Sequence, residues 1–280
     1  MVSAIAYEGL PEIVARDDLA AMIVEAGASA LASASASAPD PSVASDRSGA
    51  PPAGAGPIAA GDVLVVAHKV ISKAQGRVRA LSDVQPSDRA ISLAREHGKD
   101  PRHVQVVLDE SLELLRASHG VLVCVTRHGF VCANAGVDAS NVGAGEHPSG
   151  ETVILLPIDP DDAARQLRRR LHELTDVAPA VVITDSFGRA WRHGQCDMAI
   201  GCAGLSPLED WRGRADAFGR ELRATWIAVA DELAAVADLA RTKDGLQPVV
   251  LVRGASAHVT VQDGPGVAAL LRPKSEDLFR

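Results

Sequence analysis

Short apolar runs recur along this chain, each closed by polar residues or glycine. MVSAIAYEGL alternates weakly and predicts a first strand, and residues 8–13 predict a turn. DDLAAMIVEA has helical spacing, with Asp17 or Asp18 placed to accept the first orphan backbone N–H groups. GDVLVVAHKVISKAQG predicts a buried strand ending in a polar turn. PSDRAISLAREHG and DPRHVQVVLDESLELLRAS predict two amphipathic helices, the second with Val104, Val107, Leu108, Leu112 and Leu115 on one face. GVLVCVTRHGFVCANAGVDASN predicts two strands around the turn Arg127-His128-Gly129, ending in a polar loop. TVILLPID predicts a strand, DPDDAARQLRRRLHELT a helix, and PAVVITDSFGRAWR a buried strand followed by a loop. CDMAIGCAGL, TWIAVA and PVVLVRG add short apolar runs, with DELAAVADLART a helix between the last two. Strand–helix alternation mixed with hairpins predicts an α+β or mixed α/β fold, not a simple parallel wound sheet.

From residue 28 to residue 60 the pattern gives way to Ala, Ser, Pro and Gly. Such a stretch offers too little large apolar surface to offset the entropy of ordering it. It reads as a flexible low-complexity insertion in a single domain spanning 1–280. Aromatics make up only 3% of the 280 residues, so the core must be aliphatic. A net charge of -8 with no basic tail argues against nucleic-acid binding, which needs a dense cationic face. The basic run from 165 to 170 has helical spacing with acids on both sides, and reads as a solvated helix face. Cys124, Cys132, Cys196 and Cys202 form no C-x-x-C pair and lie in apolar runs, which disfavours zinc and fits a reduced cytoplasmic setting. No stretch is apolar enough to span a membrane, and the N-terminus lacks the charged and apolar regions of a signal peptide.

Three apolar strands run into clusters of ionisable residues and glycine, where a rigid strand would fix a functional loop. In VLVVAHKVISKAQGR, Lys69 and Lys73 bracket a short apolar segment beside His68 and Ser72. Two ammonium groups there suit phosphate oxygens; the plainer alternative is two solvent-facing lysines. In VCANAGVDASNVG, Asn134, Asp138, Ser140 and Asn141 are hard oxygen donors among glycines; the alternative is a self-satisfied Asx-turn network. In VVITDSFGRAWRHGQCD, Asp185 follows an apolar strand, where a lone charge is costly unless paired or metal-bound. Ser186, Arg189, Arg192, His193 and Gln195 follow it, and an ion-pair cluster is the plainer alternative there. Together these are the components of Mg²⁺- or Mn²⁺-assisted phosphoryl transfer. G-x-S-x-G, H-E-x-x-H and a strand-linked G-x-G-x-x-G are all missing.

At these residues the sequence resembles the coenzyme F420:L-glutamate ligases (F420-0:γ-glutamyl ligases). The matching segments are LPEI at 10–13, GDVLVVAHKVISKAQGR at 61–77, TRHGFVCANAGVDASNV at 126–142, VVITDSFGRAWRHGQ at 181–195, DWRGRADAFGREL at 210–222 and LLRPKSEDLFR at the end. The resemblance implies a two-part fold working as an interlocked homodimer. It further implies a GTP-dependent ligase that joins L-glutamate to the lactyl carboxylate of coenzyme F420-0, a deazaflavin phosphodiester, and then adds γ-linked glutamates. GTP is the co-substrate, Mg²⁺ or Mn²⁺ is required, two ions per site, and K⁺ accompanies them. By the family pattern Asp138 and Asp185 hold one metal and Ser186 contributes to a second. Leu10, Pro11, Glu12, Ile13, His68, Lys69, Lys73 and Asn141 line the GTP site. Asp138, Asp185, Arg189 and Arg192 are the expected catalytic groups, the two arginines holding the acceptor's anions. At 68 the family commonly has Ser where this chain has His68. Near the second metal relatives carry Gly followed by Lys or Gln, whereas this chain reads Arg241-Thr242-Lys243-Asp244-Gly245, and no residue is assigned from that segment. The resemblance implies the stand-alone form of the enzyme. The same carboxylates leave two rivals open, a metal-dependent phosphohydrolase and a nucleotide-binding module without turnover.

Overall fold

A computed structural model describes residues 1–36, 57–140 and 151–279. In chain order its elements are β1 (Ser3–Ala6), α1 (Leu19–Ala36), β2 (Val63–Ala67), α2 (His68–Ala74), β3 (Val78–Ala80), α3 (Asp88–His97), α4 (Pro101–Asp109), β4 (Ser111–Ser118) and β5 (Val121–Thr126). There follow β6 (Val131–Ala133), β7 (Thr152–Ile154), α5 (Pro160–Thr175), β8 (Ala180–Arg189), β9 (Arg192–Ala203), β10 (Glu209–Asp210), β11 (Trp226–Ile227), α6 (Val229–Ala240) and β12 (Val249–Arg253).

The uninterrupted apolar runs 63–66 and 249–252 leave no face for water, and β2 and β12 accordingly become inner strands of a sheet ordered β1-β12-β2-β8-β9. β2 pairs parallel with β8, and the other neighbours are antiparallel. α5, flanked by α1, packs on β8 and β9, while α6 packs across β9, β8, β2, β12 and β1. Each fully buried Val or Leu here contributes about 1.5–3 kcal/mol. A second core gathers Leu81, Val104, Val107, Leu122 and Leu155 under α3, α4 and the sheet β4-β5-β6. The architecture is mixed α+β, as the sequence predicts.

Local signals account for most helix ends. Asp18 accepts from Ala21 N–H at 3.2 Å at the start of α1. Ser87 and Asp100 cap α3 and α4, and Gly98 ends α3 in the left-handed region. α1 runs on through Ala36, so it takes in the first part of the expected 28–60 insertion; residues 37–56 lie outside the described residues. Among the described residues no helix is long and apolar enough to cross a membrane.

Four expectations need correction. The helix predicted through 118 ends at Asp109, because residues 111–118 pair with β5; Leu112 is exposed and shares no buried face with Val104. The polar turn after β2 is the helix α2. The loop predicted after the buried strand is the outer half of a long hairpin, in which polar side chains ride on the β8–β9 ladder, whose register shifts after Ile183 and again after Gly188. The basic run is not wholly solvated. Arg168 is buried, donates to the carbonyls of Pro179, Thr260 and Val261, and pairs with Asp263 at 2.8 Å.

In α6, burial pushes the Asp231 carboxyl above its ordinary range, and one bond from Ala199 N–H at 2.9 Å does not cancel that. A raised folded value means stability falls as pH rises from the unfolded value near 4 through the folded one. Asp231→Asn keeps the acceptor oxygen and should raise Tm at pH 7 by roughly 2–4 °C, a gain that disappears near pH 3; a scan of Tm against pH for both proteins checks this.

Candidate functional site

Strand register sets the geometry. Because β2 and β8 run parallel with Ala67 opposite Thr184, His68 and Lys69 emerge beside Asp185 and Ser186. They open onto a cavity of about 740 Å³. Leu10, Pro11, Glu12, Ile13, Lys73, Asp138 and Ser140 also line it, so residues scattered from 10 to 186 meet there. Asp138 arrives from the other core. It follows the short helical turn Asn134–Gly136 and bridges to Ile154, exchanging backbone bonds of 3.1 and 2.8 Å. Asn134, Ala135 and Gly136 all have positive φ, at 51°, 53° and 71°, which is costly for the first two and concentrates strain beside the site.

The charges meet in pairs. Lys69 lies 2.7 Å from the Asp138 carboxylate and donates to the Ser140 carbonyl and hydroxyl at 3.0 and 2.9 Å. The Ser140 N–H donates to Asp138 Oδ1 at 2.7 Å and its hydroxyl to Oδ2 at 3.0 Å. Burial pushes the Asp138 carboxyl up, but the Lys69 ammonium and the Ser140 donors outweigh it and hold it below the ordinary range. Lys73 reaches Glu12 at 2.5 Å. Asp185 Oδ1 accepts from Ser186 N–H at 2.8 Å and faces the Nε2 of buried His68 at 3.4 Å, while His68 Nδ1 lies 3.3 Å from the Ser72 hydroxyl. His68 thus backs the Asp185 carboxylate.

Two predicted residues do not join them. Arg189 and Arg192 stand at the exposed end of the β8–β9 hairpin, outside the described residues that line the cavity; Arg189 donates to the His193 carbonyl at 2.7 Å. Asn141 lies outside the described residues. Other lining residues were not singled out from the sequence. Arg241, Thr242, Lys243, Leu246 and Gln247 form one wall. Asp197, buried on β9, pairs with Arg241 and lies 3.7 Å from Lys243. Its only sequence signal was an acid at the head of an apolar run.

Residues 9–254 match the model of the F420-0:Gamma-glutamyl ligase family, and the chain belongs to that family. The coenzyme F420:L-glutamate ligase of Methanothermobacter thermautotrophicus is 40% identical over 281 residues, covering 100% of this chain and 99% of the relative. That of Methanocaldococcus jannaschii is 43% identical over 226 residues, 80% of this chain and 86% of the relative. That of Methanopyrus kandleri is 45% identical over 222 residues, 79% and 86% respectively.

The turn that delivers Asp138 is tightly constrained at Gly136. A Cβ there would come within 2.7 Å of the Leu156 side chain, at a φ that L residues rarely adopt. Gly136→Ala should cost about 2 kcal/mol of stability and displace Asp138; urea unfolding of the variant, followed by circular dichroism, measures it.

Proposed function

We propose that this chain is a GTP-dependent ligase that joins L-glutamate to the lactyl carboxylate of coenzyme F420-0 and then adds γ-linked glutamates. The observation that carries the reading is the convergence on one cavity of hard carboxylates, Asp138 and Asp185, with Lys69, Lys73, Arg241 and Lys243. That combination suits a polyphosphate and its counter-ions, and the names of the similar proteins supply the acceptor and the amino acid.

The donor set fits Mg²⁺ or Mn²⁺. Asp138, Asp185 and Ser186 offer hard oxygens, and among the described residues no cysteine lines the cavity. Among the described residues no group of three or more His, Cys, Asp and Glu forms a closed cage. That suits an ion which keeps several waters and shares phosphate oxygens. Asp138 and Asp185 would hold one ion and Ser186 would contribute to a second, with K⁺ accompanying them. When bound, these ions neutralise charge on the triphosphate.

The remaining work falls to the chain itself. Lys69 and Lys73 orient the phosphates as point charges. Leu10, Pro11, Glu12 and Ile13 border the nucleotide beside His68, and Asn141 completes that set. The acceptor carboxylate oxygen attacks the γ-phosphorus, the bond to the β-phosphate oxygen breaks, and GDP leaves. The glutamate amine then attacks the acyl carbon, phosphate departs with its oxygen, and the amine proton passes to water. Arg189 and Arg192 are assigned to the acceptor's anions; their place at the hairpin tip requires the acceptor to extend beyond the cavity.

GDP release that depends on both L-glutamate and the deazaflavin acceptor tests the reading. Phosphate release without glutamate supports a phosphohydrolase instead, and no release supports a binding module. Asp138→Asn and Asp185→Asn should each lower ligase turnover by at least about a hundredfold, since each 1.36 kcal/mol is tenfold. Near-normal turnover of either variant removes that residue from the metal assignment.

The same reading includes the homodimer implied by the family resemblance. Exposed Phe218 and Trp226, on the segment from β10 to β11, give a second copy apolar surface to cover. Light scattering should find one dimeric species that persists on dilution, and an active monomer would count against it.

A further inference from the structure

Asp197 sits on β9 directly opposite Ser186 on β8. Its side chain is only 2% exposed, yet it carries a charge that must be matched. Oδ1 accepts the Ser186 hydroxyl at 2.7 Å. Oδ2 accepts the Thr184 hydroxyl at 2.8 Å and the Arg241 guanidinium, which also reaches the Thr184 hydroxyl at 3.3 Å. Lys243 donates to Ser186 Oγ at 2.9 Å and to Asp238 at 3.1 Å.

Two consequences follow from this arrangement. A hydroxyl has a single proton. With that proton committed to Asp197, Ser186 Oγ meets every other partner as an acceptor, the form that takes an ammonium group or a cation. Arg241 opens the segment that carries Thr242, Lys243 and Gln247 into the cavity, so the same carboxylate anchors that wall. A buried apolar residue in its place would pack as well but would orient neither group.

We infer that Asp197 is a positioning residue of this site, fixing the Ser186 hydroxyl as an acceptor toward the cavity and tethering the 241–248 wall through Arg241. The inference rests on the reading that Asp138, Asp185 and Ser186 hold divalent metal.

The test is Mn²⁺ binding to the full chain, followed by electron paramagnetic resonance with and without GDP. The proteins are wild type, Asp185→Asn, Ser186→Ala, Asp197→Asn and the double variant Ser186→Ala with Asp197→Asn. Asp197→Asn should weaken Mn²⁺ binding by roughly tenfold or more, the usual effect of removing a residue that orients a ligand. Without GDP the double variant should bind Mn²⁺ no more weakly than Ser186→Ala alone, because Asp197 acts on the ion through that hydroxyl while the wall it tethers bears on the nucleotide. Wild-type affinity in Asp197→Asn, or losses that multiply in the double variant, would overturn the inference. If Asp197→Asn does not fold, Thr184→Val, which removes one partner of the carboxylate, enters the same cycle with the same supporting and overturning outcomes. Should the wild type bind no Mn²⁺, or Asp185→Asn bind it equally well, the metal reading itself fails and the inference with it. Failure of Asp197 alone leaves Asp185→Asn weakened, so the two failures are distinct.

Discussion

The site depends first on a parallel strand pair. β2 and β8 lie side by side in register, buried throughout their apolar stretches, and their pairing ends with Ala67 opposite Thr184. The residues that follow this last pair therefore stand beside each other, and here they are His68-Lys69 and Asp185-Ser186. A shift of one residue would turn every side chain on the slipped strand to the opposite face. The aliphatic core that fixes the register is thus also what brings His68 and the Asp185 carboxylate together across more than a hundred residues of chain.

The cavity's cations are not idle charge. Lys69 pairs with Asp138, Lys73 with Glu12, Arg241 with Asp197, and Lys243 with Asp238. Under the proposed reading, an entering polyphosphate would compete with these carboxylates, and its binding free energy would be a difference between two sets of partners. On the same reading, a divalent ion held by Asp138 would relieve that competition on one side by freeing the Lys69 ammonium for a phosphate oxygen, so that cation and anion would favour each other's entry. Arg241 differs, since its partner is buried and its role is to hold the wall. Exchange of partners belongs to the half-exposed pairs near the opening, where solvent lowers the cost of breaking them.

Much of this was legible in the sequence because it is local. The apolar runs 63–67, 121–126 and 180–183, the helices 160–175 and 229–240, and the turn at Gly129 follow from periodicity and caps. The strand 111–118 was not legible, because its leucines also suit a helix and its pairing with β5 overrides local preference. The hairpin beyond residue 184 was hidden by polar side chains on a strand that is exposed at its tip. Among site residues, Asp138, Asp185 and the lysines stood out as charged groups at the ends of apolar strands. Asp197 did not, since its meaning lies in Arg241, forty-four positions away, and nothing around Cys196 or Met198 points there.

What holds the two carboxylates of the site in relation is a path that crosses between the cores. From β2 the chain enters α2 and then Arg77, whose guanidinium bonds the Leu156 carbonyl at 3.1 Å and Glu110 at 2.8 Å. β3 follows and pairs with β7, whose Ile154 bridges to Asp138. Asp185 is fixed to the same origin through the β2–β8 ladder. Both carboxylates are therefore referred to β2 through hydrogen-bonded strands, with only the strained turn Asn134–Gly136 between Asp138 and its own sheet. Displacements of about 1 Å in a reacting geometry cost as much as a hundredfold in rate. A short path through paired backbone keeps such displacements small, which explains why the site can sit between two cores instead of within one.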